Sequence, residues 1–239
     1  MINTNKITKN LSDNIVITPP IVAEEIYKTL KRKQIHNILD VGAYRGDLTK
    51  PFKKKKNTKI IGIDVIDDYK ENFDYFIHKD FLKTTKKDFE NLNIDLVITN
   101  PPFKKNPKTG NLYPQDFLQH IFNVFGEKMP VVCIVPNYFL YNSKKRMEYL
   151  NNLNITKITN IHKDVFTNVK IECNILYFNI KTKTKHDFLG PEKKKEKKKR
   201  YFKSIALTEE QYKFIKDNIP NFNKYIKELL KKEFKEFPK

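Results

Sequence analysis

The sequence predicts an α/β fold in which a twisted, mainly parallel sheet carries helices on both faces. Short apolar segments rich in β-branched residues alternate with helix-forming segments along most of the chain, which is typical of this class. A glycine-containing turn follows the first apolar segment, and the second one ends at the acid Asp64. Ligands of such sheets bind at the carboxyl ends of the strands, so functional residues are expected there.

The predicted elements follow from apolar periodicity and from turn residues. The first helix is expected to begin after Thr18 as N-cap, with Pro19 in the first helical position, and to end near Leu30. A strand, a turn and the start of a helix are expected within 34–49. The remaining strands are predicted at 59–64, 75–78, 94–99, 130–135, 155–161 and 171–180, and further helices at 115–125 and 145–151.

The charge of the chain points to its partners. A net charge of +19 and a pI near 9.6 favour a polyanion, with nucleic acid ahead of an anionic membrane surface.

Cys133 and Cys173 lie in apolar segments and are expected in the core, and no Cys/His cluster has metal-ligand spacing. The sequence shows no signal peptide and no membrane-spanning run, so a soluble intracellular protein, cytoplasmic or nuclear, is expected with no metal and no membrane partner.

The glycine turn predicts a site for a nucleoside cofactor. Asp40 stands at the end of its strand, and Gly42 and Gly46 allow the backbone to approach a ligand closely. Tyr44 replaces the middle glycine of the usual fingerprint. Asp64 ends the next strand, about 20 residues after the glycine turn. This spacing favours a turn that binds a nucleoside over a turn with only a structural role.

Three other segments qualify as parts of this site. An acid at the position of Asp64 typically binds the hydroxyls of a ribose. Asp80 could accept a hydrogen bond from an adenine amino group while Phe81 flanks the ring, although an exposed loop acid is the alternative interpretation. The helix start at Thr18 and Pro19 could hold a carboxylate, or it could begin a plain surface helix.

The segment Asn100-Pro101-Pro102-Phe103 ends the fourth predicted strand. A residue before proline is held extended, so Asn100 is fixed at the carboxyl end of its strand. The carboxamide oxygen of Asn100 and the carbonyl oxygen of Pro101 could accept both hydrogens of an amino group on a planar ring, while Phe103 stacks on that ring. A strand that merely ends in a proline turn is the alternative.

In this order the motifs resemble those of the S-adenosylmethionine-dependent N6-adenine DNA methyltransferases of the gamma type. In that family a Thr-Pro helix start, a glycine turn, a strand-end acid, an Asp-Phe pair and Asn-Pro-Pro-Phe follow one another, and two late motifs match 135–140 and 164–177. The resemblance covers residues 17–180. It implies a Rossmann-like class I methyltransferase fold with a seven-stranded sheet.

The resemblance also implies a set of site residues. For catalysis it implies Asn100, Pro101, Pro102 and Phe103. For S-adenosylmethionine it implies Thr18, Pro19, Asp40, Gly42, Ala43, Gly46, Asp64, Asp80, Phe81 and Asn100. A flipped target base would stack on Phe103, with Tyr138 or Phe166 on its other side.

The implied reaction is methyl transfer from S-adenosylmethionine to N6 of adenine in DNA. Three alternatives remain open. An RNA adenine methyltransferase would use the same site, and a protein glutamine methyltransferase also uses Asn-Pro-Pro with an aromatic residue, although the cationic tail disfavours a neutral protein loop. The third is a catalytically weak subunit on this fold that binds nucleic acid.

The chain is expected to divide into a catalytic domain of residues 1–185 and a basic, helical appendage of residues 186–239. The appendage holds a cationic run that could be a solvated tail, a nuclear-localisation patch or a grip on phosphates: Lys193, Lys194, Lys195, Lys197, Lys198, Lys199 and Arg200. A helical apolar stripe from 222 to 234 follows it. Because the appendage is shorter than the family's usual recognition domain, a partner subunit could supply target recognition.

Overall fold

A computed structural model describes residues 16–166, 170–191 and 209–218. The chain divides into two compact units, Met1–Lys193 and Lys194–Lys239. The first unit holds the sheet and its helices. Within the second, the described part is one helix, Glu209–Asn218.

The first unit alternates strands with helices, as the sequence predicts. Its strands are β1 Asn37–Val41, β2 Lys59–Asp64, β3 Tyr75–His78, β4 Leu96–Thr99, β5 Val131–Pro136, β6 Ile155–Ile161, β7 Cys173–Phe178 and β8 His186–Leu189. Its helices are α1 Pro20–Leu30, α2 Tyr113–Phe125 and α3 Lys144–Asn151, and α4 is Glu209–Asn218 of the second unit.

The eight strands form a single sheet in the order β3-β2-β1-β4-β5-β7-β6-β8. The first five in this order pair in parallel, whereas β7 runs antiparallel to both β5 and β6. The chain therefore leaves β1 towards β2 on one side and returns to β4 on the other. The crevice beside β1 and β4 is the switch point at which open α/β sheets bind ligands.

The expectation of seven strands is wrong by one. His186–Leu189 pairs in parallel with β6, starting at the pair Ile158 and His186, and extends the sheet by an eighth strand. Two of the residues of this strand are exposed, so it lacks the apolar run that marks the buried strands. The domain boundary that the sequence predicts after residue 185 precedes this strand, whereas the structure divides the chain after Lys193.

Helices cover both faces of the sheet. Successive strand residues point to opposite faces, so along β5 Val132 and Ile134 join one apolar cluster while Val131 and Val135 join the other. Helix α1 packs into the first cluster, and α2 and α3 pack into the second. Both cysteines are buried in these clusters without a disulfide, as expected.

Two local predictions change in the structure. Helix α1 begins one residue later than predicted, with Pro19 as N-cap and Pro20 in the first turn, and no side chain caps it. Proline has no N–H to leave unsatisfied there, which is why the first turn accepts it. The helix predicted after the glycine turn is a short 3₁₀ helix, Lys50–Lys54.

Across the ranges that the structure describes, no helix is long and apolar enough to cross a membrane. Within the same ranges, no three His, Cys, Asp or Glu side chains come together as a potential metal site.

Candidate active site

A cavity of about 650 Å³ opens at the carboxyl ends of β1 to β4. Its walls come from the glycine turn after β1, the segments after β2 and β3, the end of β4, and one face of α2. This volume lies within the range of small-molecule and cofactor sites. The predicted cofactor residues that line it are Thr18, Asp40, Gly42, Ala43, Asp64, Asp80, Phe81 and Asn100.

The glycine turn is held against the end of β2. The backbone N–H groups of Gly42 and Ala43 donate to the carbonyl oxygen of Ile63 at 2.9 and 3.2 Å. Gly42 has a φ of +70°, a conformation that glycine adopts readily, and a side chain added there would find ordinary space. Tyr44, in place of the middle glycine, adopts a φ of +42°, and its N–H donates to Asp64 at 2.9 Å.

Gly46 does not line the cavity. Its φ is +74°, and a Cβ added to it would lie 3.1 Å from the ring of Phe73. The glycine is therefore required by the turn and by packing against Phe73, and not by contact with a ligand.

Asp64 lies where the sequence predicts a ribose-binding acid. One of its carboxylate oxygens accepts from the N–H of Tyr44 and the other from the N–H of Ile66, at 2.9 and 3.0 Å. Burial raises the pKa of Asp64, and these backbone hydrogen bonds oppose the rise. Because each carboxylate oxygen has two lone pairs, both retain acceptor capacity towards the cavity.

Asp40 is almost fully buried beneath the glycine turn. Its Oδ2 accepts a hydrogen bond from Thr49 Oγ1 at 2.8 Å. Burial raises the pKa of Asp40 to about 8, with smaller contributions from the negative charges of Asp64 and Asp47. A proton on this carboxyl group is therefore retained near neutral pH.

The segment after β3 forms the opposite wall. Asp80 accepts from the N–H of Leu82 at 3.1 Å and so caps a 3₁₀ turn. Phe81 is buried against Phe117 and against His120, whose ring lies edge-on to it at 4.9 Å. Asp80, Phe81, Phe117 and His120 all line the cavity.

Asn100 is oriented by the segment before α1. Its Nδ2 donates to the carbonyl oxygen of Val16 at 3.1 Å and to Thr18 Oγ1 at 2.9 Å. Since a carbonyl oxygen can only accept, the amide orientation is settled and Oδ1 lies on the other side. This Oδ1 is buried and has no hydrogen-bond partner among the described residues.

The predicted base-stacking residues lie outside the wall of this cavity. Pro102 lines it, whereas Pro101 and Phe103 are buried beside it. The Tyr138 hydroxyl donates to the carbonyl oxygen of Phe103 at 2.9 Å, so these two predicted residues are brought together. Phe166 is 2% exposed and belongs to the same apolar cluster as Phe103.

Of the remaining predicted residues, one is described and does not contribute to the wall, and the others are not described. Pro19 is the N-cap of α1 and does not line the cavity. The cationic run, Lys193, Lys194, Lys195, Lys197, Lys198, Lys199 and Arg200, lies outside the described residues.

Solved structures resemble this chain in fold. A type I restriction-modification methyltransferase subunit from Streptococcus thermophilus aligns with a TM-score of 0.56 and 14% identity, over 72% of this chain and 45% of its own. A candidate class I S-adenosylmethionine-dependent methyltransferase from Listeria monocytogenes aligns with a TM-score of 0.52 and 17% identity, over 73% and 65%. The fold is that of class I methyltransferases. The chain thus spans less than two thirds of the length of each, and neither a family model nor a curated protein sequence matches it.

Within this class I methyltransferase fold, the structure adds residues that the sequence analysis missed. The main-chain carbonyl of Val16 holds Asn100, and His120 supports Phe81. Lys104 and Lys108 line the cavity from the loop after Phe103. The density of lysines directly after the Asn-Pro-Pro-Phe motif was the available signal for this loop.

Proposed function

We propose that this protein transfers a methyl group from S-adenosylmethionine to the N6 amino group of adenine in DNA. The class I methyltransferase fold and the cavity at its switch point support the cofactor, and the position of Asn100 supports the acceptor. Adenine and DNA rest on the resemblance of the ordered motifs and on the net charge of +19.

The chain's residues fit the proposed cofactor. Asp64 would accept from the ribose hydroxyls through its remaining lone pairs, and Asp80 would accept from the adenine amino group beside Phe81. The turn at Gly42 offers backbone without a side chain next to these acids. When bound, S-adenosylmethionine supplies an electrophilic methyl group on a sulfonium.

The unpartnered Oδ1 of Asn100 is the observation that carries the proposed acceptor. A buried polar atom without a partner is costly, so each one calls for an explanation, and a role in binding substrate is one. Val16 and Thr18 hold the amide in one orientation before any substrate binds. Oδ1 therefore presents a fixed acceptor to an incoming N–H group.

The acceptor amine would be held at two points. Oδ1 of Asn100 and the Pro101 carbonyl oxygen would each accept one of its hydrogens, which turns its lone pair towards the methyl donor. Phe103, whose backbone is held by the Tyr138 hydroxyl, is 9% exposed, so its ring would have to turn towards the cavity to stack on the base. Alignment of this kind contributes on the order of several kcal/mol to catalysis.

Transfer of a labelled methyl group tests the proposal. The protein would be incubated with labelled S-adenosylmethionine and separate pools of DNA, RNA and protein, followed by digestion to nucleosides or amino acids. We expect label in N6-methyladenine from DNA. Label found in N6-methyladenine from RNA alone would identify RNA as the substrate in place of DNA. Label found in glutamine would overturn the proposal.

The variant Asn100→Ala tests the proposed mechanism most directly, because it removes the group that would bind the acceptor amine. Losing one positioned hydrogen-bonding group of this type typically lowers the rate by about 100- to 1,000-fold. The affinity for S-adenosylmethionine, measured by calorimetry, should stay close to that of the wild type, because the Asn100 amide would bind the acceptor amine and not the cofactor. Asn151→Ala, at an exposed residue at the end of α3, is the matched control and should leave the rate unchanged. Near-normal single-turnover transfer by a folded Asn100→Ala protein would contradict the mechanism.

A further inference from the structure

The loop between Phe103 and α2, residues 104–112, is here called the motif loop. It folds back on itself as a small hairpin, with an antiparallel bridge between Lys105 and Leu112. The N–H of Tyr113 donates to the Lys104 carbonyl oxygen at 3.0 Å, and the N–H of Asn106 to the Asn111 carbonyl oxygen at 2.7 Å. The motif loop therefore has a defined shape next to the proposed acceptor residues.

A buried carboxylate fixes this shape. Asp116, in the first turn of α2, is 7% exposed and accepts hydrogen bonds from three side chains of the loop. The donors are Asn106 Nδ2 at 2.6 Å, Thr109 Oγ1 at 2.6 Å and Asn111 Nδ2 at 2.9 Å. All three are neutral, so the charge of Asp116 is used to anchor the backbone of the loop and pairs with none of its lysines.

The lysines of the motif loop are exposed and lack acidic partners. Lys104, Lys105 and Lys108 form no ion pair with any described residue, and Lys104 and Lys108 also line the cavity.

The cations on the other walls of the cavity are neutralised. Arg45 lies 2.8 Å from Asp47. Lys79 lies 2.7 Å from Asp88, and Lys83 lies 3.8 Å from Asp80. Uncompensated positive charge at the cavity is thus concentrated on the motif loop.

We propose that the motif loop is a preformed phosphate-binding element that holds the nucleic-acid backbone beside the acceptor base. This inference rests on the proposed function and assigns binding of the substrate's phosphates to Lys104, Lys105 and Lys108. Ammonium groups bind phosphates as point charges and carry no sequence information, so the loop positions a strand without selecting a sequence. Because Asp116 orders the loop beforehand, binding costs less conformational entropy than it would for a free segment.

The test compares two triple variants that remove the same charge. The first carries Lys104→Gln, Lys105→Gln and Lys108→Gln. The control carries Lys56→Gln, Lys59→Gln and Lys128→Gln, which are exposed lysines beside the amino ends of β2 and β5, at the opposite edge of the sheet. Binding to an adenine-containing single strand, as DNA and as RNA, is measured at several salt concentrations.

We expect the loop variant to bind the oligonucleotide more weakly and the control to bind it nearly as wild type does. Removing one phosphate interaction should lower the slope of log affinity against log salt by about 0.7 for single strands, and removing three should lower it by about two units. A larger effect on DNA than on RNA, or the reverse, identifies the backbone that the loop prefers. Equal slopes for the loop and control variants would overturn the proposal.

Two further measurements isolate the substrate class. Binding of poly-glutamate should be affected equally by the loop and control substitutions. A selective loss of poly-glutamate binding, equal to that of the oligonucleotide, would point to an acidic protein substrate and overturn the proposal. The binding measurement needs no methyl transfer, so absence of N6-methyladenine in the wild-type reaction would defeat the proposed function while the salt slopes still decide the role of the loop.

Discussion

Single residues show how contacts decide what a side chain does. Thr18 has the residue type and the position of a helix cap, yet no side chain caps α1. Its hydroxyl accepts from Asn100, which is 82 residues away in the chain. The strand-end position of Asn100 follows from its own neighbours, since the following proline fixes its backbone. Its orientation follows from Thr18 and Val16, which pattern alone does not reveal.

The raised pKa of Asp40 predicts that the stability of the folded protein depends on pH. Its folded-state pKa, about 8, lies above the value of 3.8 for a free side chain. Between these values the folded protein retains a proton that the unfolded chain has released, so stability from this group is present at low pH and declines as pH rises to about 8. We expect Asp40→Asn, which keeps an acceptor for Thr49, to remove this decline.

Melting temperatures of both proteins from pH 5 to pH 9 would check this expectation. The difference between variant and wild type should grow with pH and level off above about pH 8. A constant difference across this range would mean that Asp40 is ionised in the folded protein throughout.

Strand β2 illustrates packing at the scale of an element. The Cα of Gly62 faces the ring of Phe73 so closely that an added Cβ would lie 2.7 Å from it, and the same ring covers Gly46 in the glycine turn. Phe73 thus occupies space that both glycines leave free. The ring therefore packs between β2 and the glycine turn and adds to the hydrogen bonds that join them.

We expect Gly62→Ala to destabilise the protein, because the ring of Phe73 must move away from both segments. Overpacking of this kind typically costs about 1–3 kcal/mol. Chemical denaturation would measure the loss, and Phe73→Leu in the same chain should recover part of it. Strictly additive losses in the double variant would show that the two residues do not interact.

Strand β8 depends on contacts that are distant in sequence. Lys157, which is 4% exposed on β6, lies 2.7 Å from Asp187 of β8 and 3.7 Å from Glu25 of α1. A buried lysine needs such partners, so this group joins the last strand to the first helix. The four residues of β8 carry too little periodicity to signal this pairing by themselves.

At the scale of the whole molecule, the positive charge falls on both units of the chain. The motif loop belongs to the first unit, and the predicted cationic run belongs almost entirely to the second. Long-range attraction of a polyanion would draw on both, whereas holding the strand beside the acceptor base would depend on the motif loop.

We expect neutralisation of the cationic run to weaken nucleic-acid binding for all sequences alike. The variant changes Lys193, Lys194, Lys195, Lys197, Lys198 and Lys199 to Gln, and the salt slope on duplex DNA should fall by about 0.9 for every phosphate that is no longer neutralised. Melting temperature and cofactor affinity should remain as in wild type. An unchanged salt slope would mean that the run binds no phosphates and that the first unit provides the grip.

Local sequence pattern is sufficient to predict the fold class and the edge of the sheet at which the cavity lies. Buried strands carry continuous apolar runs, and prolines or glycines end them, so the end of β4 at Asn100 and the turn at Gly42 follow from local pattern. Parallel pairing then brings the carboxyl ends of β1, β2 and β4 to one edge, where the cavity lies.

Which side chains meet at that edge depends on how the chain folds. Folding paired Thr18 with Asn100, anchored the motif loop on Asp116, and buried Phe166 in the core. Hydrogen bonds and packing contacts of this kind join residues far apart in the chain. Periodicity and turn residues depend only on residues close together in the sequence. They therefore cannot predict which distant side chains will be in contact in the folded protein.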